Sequence, residues 1–233
     1  GYLGEKKDEK NFITRRLSKN IKTFFVNKKN SSTIIKRRFL ENGSNIKTLG
    51  VYTVNDDFLN AREESKIISK IKKLSKKTDL IIVSDYGHGL VTKKIAKLIS
   101  SFKNKYYVNA QLNSSNLGNH NLENYKNPKA IVINENELRH ELRDKNSSVI
   151  TLGRDIKNKK KAKSVLITQG KDGATLIENS KSTKCPAFAN SVYDKIGSGD
   201  AMLSIFSICS EIKAHPLLSL YLSSLSAAQN VQS

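Results

Sequence analysis

The 233-residue chain has no tryptophan, one methionine, three prolines, two cysteines and only 21 acidic residues against 41 basic ones. Each scarcity narrows the field. Cys185 and Cys209 match no zinc or redox spacing and read as small buried apolar residues. A reducing cytoplasm is the simplest setting for them. No stretch approaches the ~20 apolar residues of a membrane-crossing helix, and the opening residues do not resemble a signal peptide. The opening Gly1-Tyr2-Leu3-Gly4, without an initiator Met, reads as a fragment of something longer. The shortage of acid leaves a formal charge of +20, which ordinarily points to nucleic acid or an anionic surface. Here the lysines run along the whole chain among many Asn and Ile, a drift of composition and not a shaped basic face. The densest cluster, 157–163, reads as a solvated linker. Direct nucleic-acid binding is therefore the weakest functional alternative.

What is present suffices for one α/β domain spanning 1–233. Hydrophobic residues make up 37%, including eight Phe and eight Tyr, enough for a single core and somewhat few for two. Residues 33–40 and 46–54 read as strands joined by Glu41-Asn42-Gly43-Ser44-Asn45. Lys36, Arg37 and Arg38 in the first strand are either protective edge charges or a clamp on a phosphorylated ligand. Apolar spacing predicts a helix over 57–77. Leu80-Ile81-Ile82-Val83 then reads as a strand covered on both faces in a parallel sheet. It ends in a glycine-containing turn, Asp85 to Gly89, at the edge where ligands bind in open α/β sheets. A helix over 91–103, a strand at 106–110, an Asn-rich loop, a strand at 130–133 and a helix from Glu135 follow. Strands at 165–168 and 174–178 flank Gln169-Gly170-Lys171-Asp172-Gly173. The alternation fixes the class as α/β.

The most informative stretch is Asp194-Lys195-Ile196-Gly197-Ser198-Gly199-Asp200-Ala201-Met202, running into an apolar helix over 203–212. Two glycines permit a tight turn with no Cβ above the amides. The helix start supplies unpaired N–H groups and the positive end of the dipole, an anion site. Asp200 at its mouth can accept a proton from an attacking hydroxyl. The alternative is a glycine turn with Asp200 as an N-cap. Asn134-Glu135-Asn136-Glu137 fits a capping box, and Gly170 and Gly173 fit a hairpin. His88 is either structural or a substrate contact.

Taken together, three segments resemble the signatures of the ribokinase-like, or pfkB, family of carbohydrate kinases. The glycine–Asp stretch matches the family's Asp-Thr-x-Gly-Ala-Gly-Asp, with Lys195 for Thr and Ser198 for Ala. Asn134-Glu135-Asn136-Glu137 matches Asn-x-x-Glu, and Thr168-Gln169-Gly170-Lys171-Asp172-Gly173 matches Thr-x-Gly-x-x-Gly. The segment 79–89, with 33–38 and 108–111, is similar to the heptose-phosphate kinase domains of bifunctional sugar kinase–nucleotidyltransferases. Where many of those carry Asp-Pro-Lys, this chain has Asn109-Ala110-Gln111. The resemblance covers most of the chain but lacks the family's first strands and Gly-rich sugar-binding segment.

The resemblance implies a three-layer α/β/α fold with a mostly parallel sheet and a β-flap over about 31–56. It implies transfer of the ATP γ-phosphoryl group to a hydroxyl of a sugar or sugar phosphate. Asp200 would be the base and Gly197, Ser198 and Gly199 the anion hole. Thr168, Gly170, Gly173 and Asn134 would lie along the nucleotide, and Glu137 with Asn134 would organise Mg²⁺ and its waters. Lys36, Arg38, Asp85 and Asn109 would meet the sugar. The flap would exclude water and contribute to a homodimer, and a nucleotidyltransferase domain would be fused or associated. A non-catalytic kinase-like remnant serving as a binding module is the second alternative.

Overall fold

The computed structural model describes residues 1–5, 8–41, 47–55, 57–112, 122–189, 191 and 196–232. Most of the 41–45 connection, the greater part of the Asn-rich loop, and Asp194 with Lys195 lie outside them. The chain divides into two compact units, 1–74 with 88–95, and 75–87 with 96–233.

In the first unit, β1 (Tyr2–Leu3) runs parallel to β2 (Val26–Asn27), with α1 (Asp8–Arg15) between them in sequence. Lys28 is buried, and its ammonium donates to the carbonyls of Asn55 and Asp57 and to the Asn55 side chain. β3 (Ile35–Leu40) and β4 (Lys47–Thr53) form an antiparallel ribbon. Phe39, Leu49 and Val51 share one face of it and stay exposed. α2 (Ala61–Ser75) starts at Asn60, whose side chain accepts from Glu63 N–H while Glu63 accepts from Asn60 N–H. That reciprocal pair satisfies two of the helix's orphan donors.

The second unit is built on six strands in the order β10-β9-β8-β7-β6-β5. β5 (Ile81–Asp85), β6 (Tyr106–Ala110), β7 (Ala130–Asn134) and β8 (Ser164–Thr168) are parallel; β9 (Ala174–Glu178) and β10 (Lys181–Cys185) return antiparallel. α3 (Lys93–Ser101) links β5 to β6 in sequence and spans the boundary between the units. The strand period of two sorts the core into two layers. Ala130, Val132, Leu166, Ala174 and Leu176 join Met202, Leu203, Phe206 and Leu220 in one cluster, beneath α6 (Ser198–Glu211) and α7 (Pro216–Gln232). On the opposite side α4 (Glu135–Leu142) and α5 (Val149–Lys160) cover β7, β8 and β9. Ile167 and Ile177 lie directly under Gly153 of α5. The result is a three-layer α/β/α unit with a mostly parallel sheet.

Two expectations are corrected, and two elements are new. The lysine cluster at 157–163 is not a linker. It closes α5, which Ser148 caps by accepting from Thr151 N–H, and cations are favoured in a helix's last turn. Lys160 is itself buried, 3.4 Å from Glu141. Second, β5 is not covered on both faces: it ends the sheet, and Ile82 is 39% exposed. The new elements are β10 and α7, which have no counterpart in the sequence pattern. β10 is short and polar on its open side, and the apolar residues of α7 run nearly all round it, which hides its period.

Candidate active site

The C-terminal ends of the parallel strands bring the candidate residues into one row. β5 ends at Ser84 and Asp85, β6 at Asn109 and Ala110, β7 at Asn134 and β8 at Thr168. With neighbouring strands spaced by about 4.8 Å, the β5 and β7 ends are roughly 10 Å apart.

At the β5 end stands Asp200. Gly197 is the N-cap of α6, at φ +85°, and no side chain among the described residues caps the helix there. The first helical bond runs from Ala201 N–H to Gly197 C=O, so the amides of 198–200 precede the hydrogen-bonded ladder, where a helix start carries its positive pole. A Cβ added at Gly199 would meet nothing within 4 Å among the described residues. The cradle is therefore open, and it suits a phosphate group. Asp200 is not the N-cap. It lies inside the first turn, and its carboxylate accepts from Ser84 Oγ at 2.8 Å and from the Tyr86 hydroxyl at 2.7 Å. Burial, and then the Asp200 charge, push the Tyr86 phenol up to about 12.

Asp85, between those two hydroxyls in sequence, faces the other way. It is buried, accepting from the Tyr125 hydroxyl at 2.8 Å and from Gly87 N–H at 3.0 Å. Desolvation and the Asp85 charge drive the Tyr125 phenol far above its ordinary range. Asp85 thus holds the turn after β5, where the family resemblance implies a substrate contact. Asn109 is also buried and donates to Val132 C=O at 2.8 Å. His88 is buried in the first unit. Lys36 there lies 5.8 Å from the Tyr52 ring centre, and Arg38 is exposed on the same strand.

At the β7 and β8 ends, Asn134 and Glu137 form a complete capping box. Asn134 accepts from Asn136 N–H at 2.9 Å, and Glu137 Oε2 accepts from Asn134 N–H at 3.0 Å. Asn134 Nδ2 also reaches Thr168, 3.4 Å from both its carbonyl and its hydroxyl. Glu137 Oε1 takes Leu112 N–H at 3.1 Å. Both carboxylate oxygens are thus already engaged, and among the described residues no cluster of three His, Cys, Asp or Glu could hold a metal. This donor set suits an ion that keeps its water shell, as Mg²⁺ does.

The two glycines after β8 differ. Gly170, at φ +58°, has nothing near its missing Cβ, whereas a Cβ at Gly173 would fall 2.0 Å from Cys185 C=O. Gly173 is required by the chain's own packing against the β10 exit. Sequence reasoning singles out Asp85 and passes over Ser84 and Tyr86. The signal is the period of two: 84 and 86 must face opposite to 85, toward α6.

A mostly parallel sheet between helix layers, with a carboxylate beside a glycine helix start, defines a ribokinase-like α/β protein. Solved structures with this fold include phosphofructokinase-2 from Escherichia coli in complex with substrates and products, at TM-score 0.78 and 16% identity over 99% of this chain and 74% of that one. Ribokinase from Thermotoga maritima is similar at TM-score 0.72 and 13% identity, over 100% of this chain and 73% of that one.

The chain belongs to the pfkB family of carbohydrate kinases: the profile described as pfkB family carbohydrate kinase matches residues 4–231. Curated relatives include two proteins named bifunctional protein HldE. The one from Aliarcobacter butzleri (strain RM4018) is 28% identical over 179 residues, 75% of this chain and 36% of the relative. The one from Helicobacter pylori (strain G27) is 25% identical over 208 residues, 88% of this chain and 44% of the relative. The chain thus spans less than half the length of either.

Proposed function

We propose that this chain transfers the γ-phosphoryl group of ATP to a hydroxyl of a sugar phosphate, with Asp200 as the base. The observation that carries this reading is the pairing of Asp200 with a glycine start of α6 at the strand ends that, among the described residues, has no side-chain cap and leaves space beside Gly199. Asp200 takes the acceptor hydroxyl's proton as that oxygen bonds to the γ-phosphorus and the bond to ADP breaks. The amides of 197–200 meet the negative charge that spreads over the equatorial oxygens. Asn134 and Thr168 flank the nucleotide, and Gly170 leaves room beside it. Glu137 and Asn134 would hold the waters of a Mg²⁺ ion, whose charge would neutralise the phosphates.

For the acceptor we propose a heptose phosphate, on the resemblance of 79–89, with 33–38 and 108–111, to heptose-phosphate kinase domains. Lys36 and Arg38 are proposed to grip its phosphate on grounds of charge alone. A homodimer through the ribbon is supported by its exposed Phe39, Leu49 and Val51, and the word bifunctional in the relatives' name is in keeping with the second, nucleotidyltransferase domain that the resemblance implies. Among the described residues no helix is long and apolar enough to cross a membrane.

The test is ADP release by the full chain with a panel of sugars and heptose phosphates. Turnover that needs one acceptor class, and that Asp200→Asn lowers by about 10²-fold or more, supports the reading. ATP binding without turnover on any acceptor would favour the non-catalytic binding module instead.

A further inference from the structure

The Asp200 carboxylate does not set its own orientation. One oxygen accepts from Ser84 and the other from Tyr86, at 2.8 and 2.7 Å. Ser84 lies in β5 and Tyr86 is the first residue beyond its end. A carboxylate bound at both oxygens from one short stretch of chain cannot turn about its Cβ–Cγ bond without losing a hydrogen bond to a charged acceptor, among the stronger kinds. We propose that Ser84 and Tyr86 are positioning residues, a pair of hydroxyls that clamp the Asp200 carboxylate in the orientation that receives the acceptor's proton. This inference rests on the reading of Asp200 as the base.

The geometry leaves the base usable. An ionised carboxylate offers about four lone-pair sites; the clamp occupies one on each oxygen and leaves the others for the acceptor hydroxyl. Tyr86 remains a donor throughout any practical assay range, because burial and the Asp200 charge hold its phenol up at about 12. The strand end is itself anchored. Asp85 points away from the site into the Tyr125 hydroxyl and Gly87 N–H, so alternation aims residues 84 and 86 together at α6. Of these three consecutive residues, the middle one fixes the turn and its two neighbours fix the base.

Steady-state kinetics of the full chain with the best acceptor test the clamp. Misplaced catalytic groups cost up to about 10²-fold, so Tyr86→Phe and Ser84→Ala should each lower kcat about tenfold. The KM for ATP and the melting temperature should stay near wild type. Ser84→Thr, which restores a hydroxyl, should recover most of the rate. In an Asp200→Asn background, adding Tyr86→Phe should change the residual rate by less than about twofold, since residues acting as one unit are not additive.

If both hydroxyl variants keep kcat within about twofold of wild type while Asp200→Asn is crippled, the clamp is wrong and the base reading stands. Equal losses with and without Asp200 would also overturn the clamp. If Asp200→Asn stays within about tenfold of wild type, the base reading itself is wrong. Crystal structures need no acceptor: an Asp200 carboxylate in the same single orientation in a Ser84→Ala/Tyr86→Phe double variant would refute the clamp.

Discussion

The turn after β8 and the turn before α6 are both glycine-rich; in sequence the second reads as an anion site, and the family resemblance lays the first along a nucleotide. They are built on opposite principles. Gly173 is pressed against the chain's own backbone, with a Cβ position 2.0 Å from Cys185 C=O. Among the described residues Gly199 stands beside open space, and Gly197 has the Asn230 side chain nearest it. One glycine lets the protein close on itself; the other leaves the protein open for something else. The same residue type thus reports packing in one turn and, among the described residues, open space in the other, where we propose a phosphate.

The sharpest separation is expected at Asp200, beside the open turn. Asp200→Asn should lower kcat by ~10²–10⁴-fold, measured by ADP release, with the thermal midpoint little changed. Gly173→Ala should act in the reverse sense. It forces a side chain into a backbone region that only glycine occupies comfortably and against a fixed carbonyl, costing about 3 kcal/mol or more in a denaturant titration. Gly199→Ala should leave stability unchanged or slightly raised, since alanine favours helix, while raising the KM for ATP by about tenfold. Equal destabilisation by Gly173→Ala and Gly199→Ala would erase the distinction.

Two weaker effects refine it. Asn134→Ala removes a cap on α4 and should cost about 1 kcal/mol. The loss should appear in both stability and nucleotide affinity, because the same amide reaches Thr168. The smallest effect is a pH dependence. Tyr86 binds its proton more tightly in the folded state than its ordinary value of 10.0 implies, up to about 12. Its contribution to stability is therefore fully present below the unfolded value and is lost as pH rises through the folded one. Thermal midpoints should fall between about pH 10 and pH 12, less steeply in Tyr86→Phe, as calorimetry would show.

Much of the frame is legible because it is written in local periods. The strands at 106–110 and 174–178 stand where the pattern puts them, and the β7 and β8 runs differ by one residue at an end. Their near-continuous apolar character follows from helices on both faces. α5 escapes notice because its lysine-rich second half obscures the Val149, Leu152, Ile156 stripe. Lys160 buries its stem and pairs with Glu141, a contact that depends on a residue of another helix. β5 misleads because an apolar run does not announce where its sheet ends.

At the site, the sequence by itself determined the chemical parts: a carboxylate at a glycine helix start, an Asn–Glu cap and a Thr–Gly turn, each a pattern of near neighbours with a physical reason for its spacing. It could not say what those parts face. That Asp85 turns inward, that Ser84 and Tyr86 grip a carboxylate more than a hundred positions away in sequence, and that Gly173 belongs to packing while Gly199 stays open were decided by tertiary structure alone. Orientation at a strand end depends on which helix lies over it, and that is settled only when distant segments pack.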